Sequence, residues 1–220
     1  MKKNKVKVAF LLDKQNDWLL NYFNTKKFQN YLNNLYEISL IFNPKNLAKY
    51  EIVFVLGYTK ILKHQLLKRC KNIFLIHESK LPKGKGFSPI QWQILQGINL
   101  IDVCLIKLVE RFDSGPIILR DRIKFDGTEL YDEIREKQFY CTERLIKKFL
   151  KNYPKISQYN QKGKQTYYRK RYPKDSKLSI SKTIKSQFNL LRICNNSQWP
   201  AFFYFKNKKY LIKIFKTDDK

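Results

Sequence analysis

Glycine is scarce in this chain, 7 in 220 residues, and none builds a G-x-G-x-x-G turn after the first apolar run. That excludes the standard dinucleotide fingerprint, whose glycines let backbone approach a pyrophosphate. The four cysteines, Cys70, Cys104, Cys141 and Cys194, stand far apart without a C-x-x-C pair. Neither a disulfide frame nor a metal site is therefore expected. No apolar run approaches the roughly 20 residues of a membrane span. The basic start leads into an apolar stretch, residues 6–12, that contains Lys7 and ends at Asp13 without a small-residue cleavage site. These absences predict a cytoplasmic protein with reduced thiols and no membrane partner. Acid is short too, with 18 Asp and Glu against 45 Lys and Arg, a formal charge of +27. Such an excess makes nucleic acid the first suspect. Lysine, however, runs along the whole chain together with abundant asparagine and isoleucine, which reads as compositional bias. No nucleic-acid partner is expected.

What is present alternates between apolar runs and helical patterns. With 43% hydrophobic residues in 220, the chain suffices for one α/β domain with a full core and a small appendage. Residues 6–12, 37–42 and 52–56 read as strands, with a loop at Asn43-Pro44-Lys45-Asn46. Trp18 opens a helical pattern that continues to Leu35. Residues 61–70 read as a helix leading into Ile73-Phe74-Leu75-Ile76, a run without turn residues that predicts a buried parallel strand. Ser88 followed by Pro89 predicts a capped helix start that Gly97 ends. Residues 103–109 and 117–119 read as strands. Thr128 is expected to cap a long helix with an apolar stripe of Leu130, Ile134, Cys141, Leu145 and Phe149. The expected α/β architecture is a Rossmann-like, open, mostly parallel sheet over residues 1–153. A polar, basic linker at 154–165 and a small C-terminal α/β subdomain at 166–220 follow, the latter closing with a hairpin across Lys206-Asn207-Lys208. Both hairpin strands carry apolar residues on both faces, so a homodimer is expected.

The chemistry-bearing segment is His77-Glu78-Ser79-Lys80-Leu81-Pro82-Lys83-Gly84-Lys85-Gly86, followed later by Phe112-Asp113-Ser114-Gly115. It ends an apolar strand on an imidazole, a group that titrates near neutrality and suits proton transfer, and sets an acid in a tight turn. Taken alone, a histidine at a strand end is more often a hydrogen-bonded core residue, and such an aspartate more often satisfies turn amides. The full order of histidine, Ser-x-Leu-Pro, glycine-rich turn, Ser-Pro-led helix and Asp-Ser-Gly resembles the formyltransferases that use N10-formyltetrahydrofolate. That family includes methionyl-tRNA, glycinamide ribonucleotide and nucleotide-sugar N-formyltransferases. The likeness covers residues 51–145. Leu81-Pro82 with Gly84-x-Gly86-Phe87-Ser88-Pro89-x-x-Trp92-Gln93-Ile94-Leu95 is similar to the sugar-modifying branch, and Arg171-Tyr172-Pro173-Lys174-Asp175 adds a less specific match.

The resemblance implies transfer of a formyl group from N10-formyltetrahydrofolate to a nucleotide-linked amino sugar, with dTDP-4-amino-4,6-dideoxyglucose favoured, in O-antigen or surface-glycan synthesis. His77 and Asp113 are the implied catalytic residues, the imidazole moving the proton and the acid orienting it or accepting a proton. Gly57, Tyr58 and Ile61, together with Asp113, are expected to hold the folate. Ser79, Lys83, Gly84, Lys85, Gly86 and Trp92 are expected at the nucleotide sugar, the lysines for a diphosphate and the glycines for close backbone approach. Trp92 also reads as helix core. One position departs from the family. The asparagine usual two residues before the histidine, an oxyanion donor, is Leu75 here, and Asn72 points to the opposite strand face by alternation. Two alternatives stay open. A methionyl-tRNA-type formyltransferase would account for the charge, although that branch usually adds a larger barrel domain. An inactive folate- or nucleotide-sugar-binding homologue would account for Leu75.

Overall fold

A computed structural model describes residues 5–14, 17–23, 32–60, 62, 64–70 and 72–217. The first strands are β1 (Val6–Leu12), β2 (Tyr36–Ile41), β3 (Ile52–Leu56) and β4 (Ile73–His77), with α1 (Asp17–Phe23) and α2 (His64–Arg69) between them. A two-residue strand β5 (Lys85–Gly86) and helix α3 (Pro89–Leu95) precede β6 (Leu100–Lys107), β7 (Ile117–Lys124) and the long helix α4 (Tyr131–Asn152). The main sheet runs β2-β1-β3-β4-β6-β7. Its first four strands are parallel. β6 then meets β4 antiparallel, with His77 opposite Cys104, and β7 meets β6 antiparallel. β3 is buried at every position, as expected of a strand covered on both faces.

Side-chain alternation divides the interior into two cores. Phe10, Phe54, Phe74 and Ile76 face α4, whose Ile134, Cys141, Leu145 and Phe149 supply the stripe. The Phe74 and Phe149 rings lie 4.4 Å apart. Each such side chain contributes about 1.5–3 kcal/mol by leaving water. Ala9, Leu11, Val53, Val55 and Ile73 form the opposite core, with Leu75 packed against it. His77, two residues beyond Leu75, therefore faces that second side.

Two helix starts differ from the sequence reading. Ser88 adopts a left-handed φ of 52° and makes no side-chain cap bond, so α3 opens on Pro89 alone. Thr128 turns its hydroxyl to Asp126 at 2.6 Å, and α4 starts three residues later, where the Glu133 carboxylate accepts from the Leu130 amide at 2.8 Å. The expected continuation of α1 falls largely on residues 24–31, outside the described residues, as does Ile61.

Beyond α4 the chain returns to the sheet. Tyr159 forms an antiparallel bridge with Ile117, and β8 (Tyr167–Tyr168) pairs in parallel with β5. Helix α5 (Ile184–Arg192) and the hairpin β9 (Ala201–Phe205) and β10 (Lys208–Ile212) enclose a small core of Leu178, Leu191, Cys194 and Ala201. Lys206 and Asn207, at φ 45° and 59°, make the two-residue turn whose twist matches paired strands. Buried Arg192 ties α5 to the main domain, meeting Glu129 at 3.2 Å and Asn99 at 2.7 Å. No helix of the described residues is long and apolar enough to cross a membrane.

Candidate functional site

β4 ends by burying His77, which is 5% exposed. Its Nε2 lies 2.8 Å from the Gly84 carbonyl oxygen. A carbonyl only accepts, so Nε2 carries the proton of the neutral ring. Nδ1 is left facing Asp113 Oδ2 at 3.6 Å. With neutral His77 and ionised Asp113 both of these atoms are acceptors, and the gap between them suits a donor N–H. Asp113 sits in the turn after β6 at φ 45°, a left-handed conformation that aspartate tolerates better than most residues. Its Oδ2 accepts the Gly86 amide at 2.9 Å. Histidine and acid, 36 positions apart in the chain, are thus joined through one short segment, Gly84 to Gly86, which includes β5.

The expected substrate residues divide by environment. Gly84 and Gly86 both have positive φ, 72° and 102°. A Cβ at Gly86 would stand 2.1 Å from the Tyr168 carbonyl oxygen, so glycine admits the chain's own β8. Lys83 is exposed, whereas Lys85 is buried and donates to Ser114 Oγ at 2.6 Å and Gln165 Oε1 at 3.2 Å. Burial, then Arg111, push the Lys85 ammonium below its usual range, while Asp113 acts in the opposite direction. Ser79 Oγ is buried without a hydrogen-bond partner. Trp92 stacks near Tyr168 at 6.5 Å, donates to the Arg169 carbonyl at 2.7 Å and lies under the Arg169 guanidinium at 4.7 Å. The ring is thus engaged by the tail through both Tyr168 and Arg169. Phe87 and Phe112 flank the Gly86–Asp113 contact as an exposed pair 5.5 Å apart.

Gly57, at φ 59°, and half-buried Tyr58 follow β3, the strand beside β4. Thr59 there donates to Asp13 at the end of β1. Asn72 is engaged elsewhere, donating to the Glu51 carbonyl and the Tyr153 hydroxyl at 3.1 and 3.2 Å. Leu75 leaves the His77 face of β4 without a polar side chain beside the histidine.

Sequence reasoning missed the residues that hold this arrangement from behind. Gln161 donates from Nε2 to the carbonyls of Asp113 and Gly115, both at 2.8 Å, which fixes the acid-bearing turn. Thr166 Oγ1 accepts from the Gly84 amide at 2.8 Å. These residues belong to a polar stretch without periodicity, so no local signal distinguishes them.

A family model described as Formyl transferase matches residues 4–144. The chain is 30% identical over 190 residues to the bifunctional polymyxin resistance protein ArnA of Wigglesworthia glossinidia brevipalpis, covering 78% of this chain and 29% of that protein. It is 30% identical over 172 residues to the methionyl-tRNA formyltransferase of Thermodesulfovibrio yellowstonii, covering 76% and 54%. The chain therefore spans less than two thirds of the length of these relatives. The fold is similar to a 4-N formyltransferase from Francisella tularensis, with a TM-score of 0.70 at 16% identity, covering 97% of this chain and 99% of that one. It is also similar to HypX from Aquifex aeolicus in complex with tetrahydrofolic acid, with a TM-score of 0.71 at 15% identity, covering 94% and 37%. The matched stretch runs from β1 into α4 and contains both His77 and Asp113, and on that match the chain belongs to the formyl transferase family.

Proposed function

We propose that this chain moves the formyl group of N10-formyltetrahydrofolate to the amine of a nucleotide-linked amino-dideoxy sugar, with dTDP-4-amino-4,6-dideoxyglucose favoured. The carrying observation is the gap between His77 Nδ1 and Asp113 Oδ2, two buried acceptors 3.6 Å apart. An amine entering there donates one N–H to each, which keeps its lone pair free for the formyl carbon. His77 takes the proton released on attack, Asp113 stabilises the imidazolium, and the same proton returns to the leaving nitrogen.

The donor reading is supported by the tetrahydrofolic acid complex of a protein with this fold. Gly57 offers backbone and Tyr58 a ring face where a flat pterin would lie, and Asp113 is a further expected contact in addition to Ile61, which lies outside the described residues. For the acceptor, Lys83 is an exposed cation suited to a diphosphate, Ser79 and the turn at Gly84 and Gly86 line the approach, and Trp92 braces it. A sugar acceptor is supported by the solved structures of this fold that are named as sugar or 4-N formyltransferases. The exposed outer part of the hairpin, Tyr204, Phe205 and Leu211, fits a homodimer. This reading sets the enzyme in the cytoplasm, in O-antigen or other surface-glycan synthesis.

The charge of +27 favours a second reading, formylation of charged initiator tRNA. Salt separates the two. RNA binding that neutralises many phosphates weakens with a log–log slope of about −0.7 per contact on a single strand, whereas a diphosphate in a formed site gives a shallow slope. Formylation of dTDP- or UDP-linked amino sugars is expected to change modestly between about 50 and 200 mM salt. Salt-sensitive formylation of initiator tRNA, with no turnover of any nucleotide amino sugar, would replace this reading with the second.

A further inference from the structure

Two cations of the described residues are almost wholly removed from solvent, Lys85 at 1% exposure and Arg192 at 0%. Arg192 has a counter-ion in Glu129 at 3.2 Å. Lys85 donates to two neutral groups, Ser114 Oγ and Gln165 Oε1, and among the described residues no carboxylate makes a salt bridge with it. A buried ammonium without a contact ion pair costs several kcal/mol of desolvation. Stability alone gives no reason to keep it.

Its place does give one. Lys85 and Gly86 meet Ser114 and Asp113 residue for residue, through the 2.6 Å Nζ–Oγ bond and the 2.9 Å amide–carboxylate bond. On the other side of Lys85, Gly84 accepts from His77 at 2.8 Å. The backbone on either side of Lys85 thus makes the joint between histidine and acid, and its ammonium meets Ser114, the neighbour of Asp113. The ammonium has three N–H donors and uses two.

Formyl transfer needs such a charge. As the acceptor nitrogen forms its bond to the formyl carbon, the carbonyl π pair moves onto oxygen and a proton leaves the nitrogen for His77. Collapse restores the carbonyl and breaks the bond to N10, which takes that proton, so the products are the N-formyl sugar and tetrahydrofolate. Between these events the oxygen bears a full negative charge, and β4 offers only apolar Leu75 on the face of His77. We infer that Lys85 supplies the positive charge that stabilises this oxyanion, in place of the donor that Leu75 cannot provide. The inference rests on the formyl-transfer reading and deepens it. In this assignment Lys85 acts on the reacting oxygen, and exposed Lys83 is left for the diphosphate.

The test is a cycle of two substitutions assayed with formyl donor and nucleotide amino sugar. Lys85→Met is expected to lower kcat by about 100-fold, with both KM values within about twofold of wild type because ground-state binding is untouched. Leu75→Asn alone should raise kcat less than about threefold. In the Lys85→Met background it should recover at least about tenfold, since a new donor then meets the same oxygen. Circular dichroism and thermal midpoints establish folding, and Lys85→Gln carries the same expectations should the methionine variant fail to fold. Unchanged kcat in either folded variant overturns the inference. So does a loss that appears in KM, or one that Leu75→Asn leaves unrepaired. A wild-type protein that formylates no amine refutes the formyl-transfer reading itself, and that result is obtained before any variant is made.

Discussion

At the residue scale, the imidazole of His77 is committed on one side and available on the other. Nε2 is held by Gly84, which fixes the tautomer and leaves Nδ1 as the only ring atom able to take a proton. His77→Asn keeps a polar side chain but no titratable lone pair. It is expected to lower turnover by about two orders of magnitude or more in a protein whose thermal midpoint shows it folded. Near-normal turnover in that folded variant would sink the assignment. Gly86 makes a second, purely steric prediction. At φ 102°, with a Cβ 2.1 Å from the Tyr168 carbonyl, Gly86→Ala forces β8 off β5. A lower denaturation midpoint and loss of activity are both expected, while Gly97→Ala, whose Cβ would meet nothing within 4 Å, should show only the smaller strain of its positive φ. Local sequence made part of this visible. The run Ile73-Phe74-Leu75-Ile76, without a turn residue, reads as a buried strand with the histidine at its end, and β4 is that strand. The burial of Lys85 was not visible, because it depends on Ser114 and Gln165, 29 and 80 residues away.

Among the elements, the segment from Tyr159 to Tyr168 does the most for the site. Its composition reads as a linker, polar and basic without a period, yet its glutamines serve backbone carbonyls and a lysine. Helix starts were misread for a related reason. Capping rules weigh residue types, and they identified Ser88 and Thr128, but the left-handed turn at Ser88 and the Asp126 contact of Thr128 took both side chains away. The long helix was readable because its stripe repeats over 22 residues. Beyond β8, Arg169 grips Asp175 with two bonds of 2.7 and 2.6 Å, and this guanidinium holds the carboxyl down at about 2. The unfolded value is near 3.9, so the folded pKa is the lower one. The contribution of this pair is therefore present above about pH 4 and is lost as pH falls through about 2. Trp92, beneath Arg169, reports it. In a Trp18→Phe, Trp199→Phe background the Trp92 emission should shift between about pH 4 and pH 2, and Asp175→Asn should abolish the shift. An emission that stays constant across that window would count against the pairing.

For the whole molecule, the main domain and the tail are joined by a buried charge. Arg192→Met removes one of two cations beside Glu129, which keeps Lys137 and the amides of Asp126 and Gly127, and should lower stability by about 1–3 kcal/mol, read from denaturant midpoints. A change below about 0.5 kcal/mol would mean that Lys137 and the two amides satisfy the carboxylate by themselves. The hairpin makes a prediction about assembly. Phe205 and Leu211 are 50% and 56% exposed, so light scattering should show a dimer at micromolar concentration and Leu211→Glu should give a monomer. A wild-type monomer would remove the dimer from the proposal. The bonds from Gln161, Thr166 and Tyr168 to the turns of Asp113, Gly84 and Phe87 also impose an order in time. The ribosome makes His77 and Asp113 well before the segment that clasps them. A growing chain can assemble its sheet while the reacting pair is still unheld, so under the proposed function no turnover begins until residue 168 has emerged and docked, whereas α5 and the hairpin are made only afterwards.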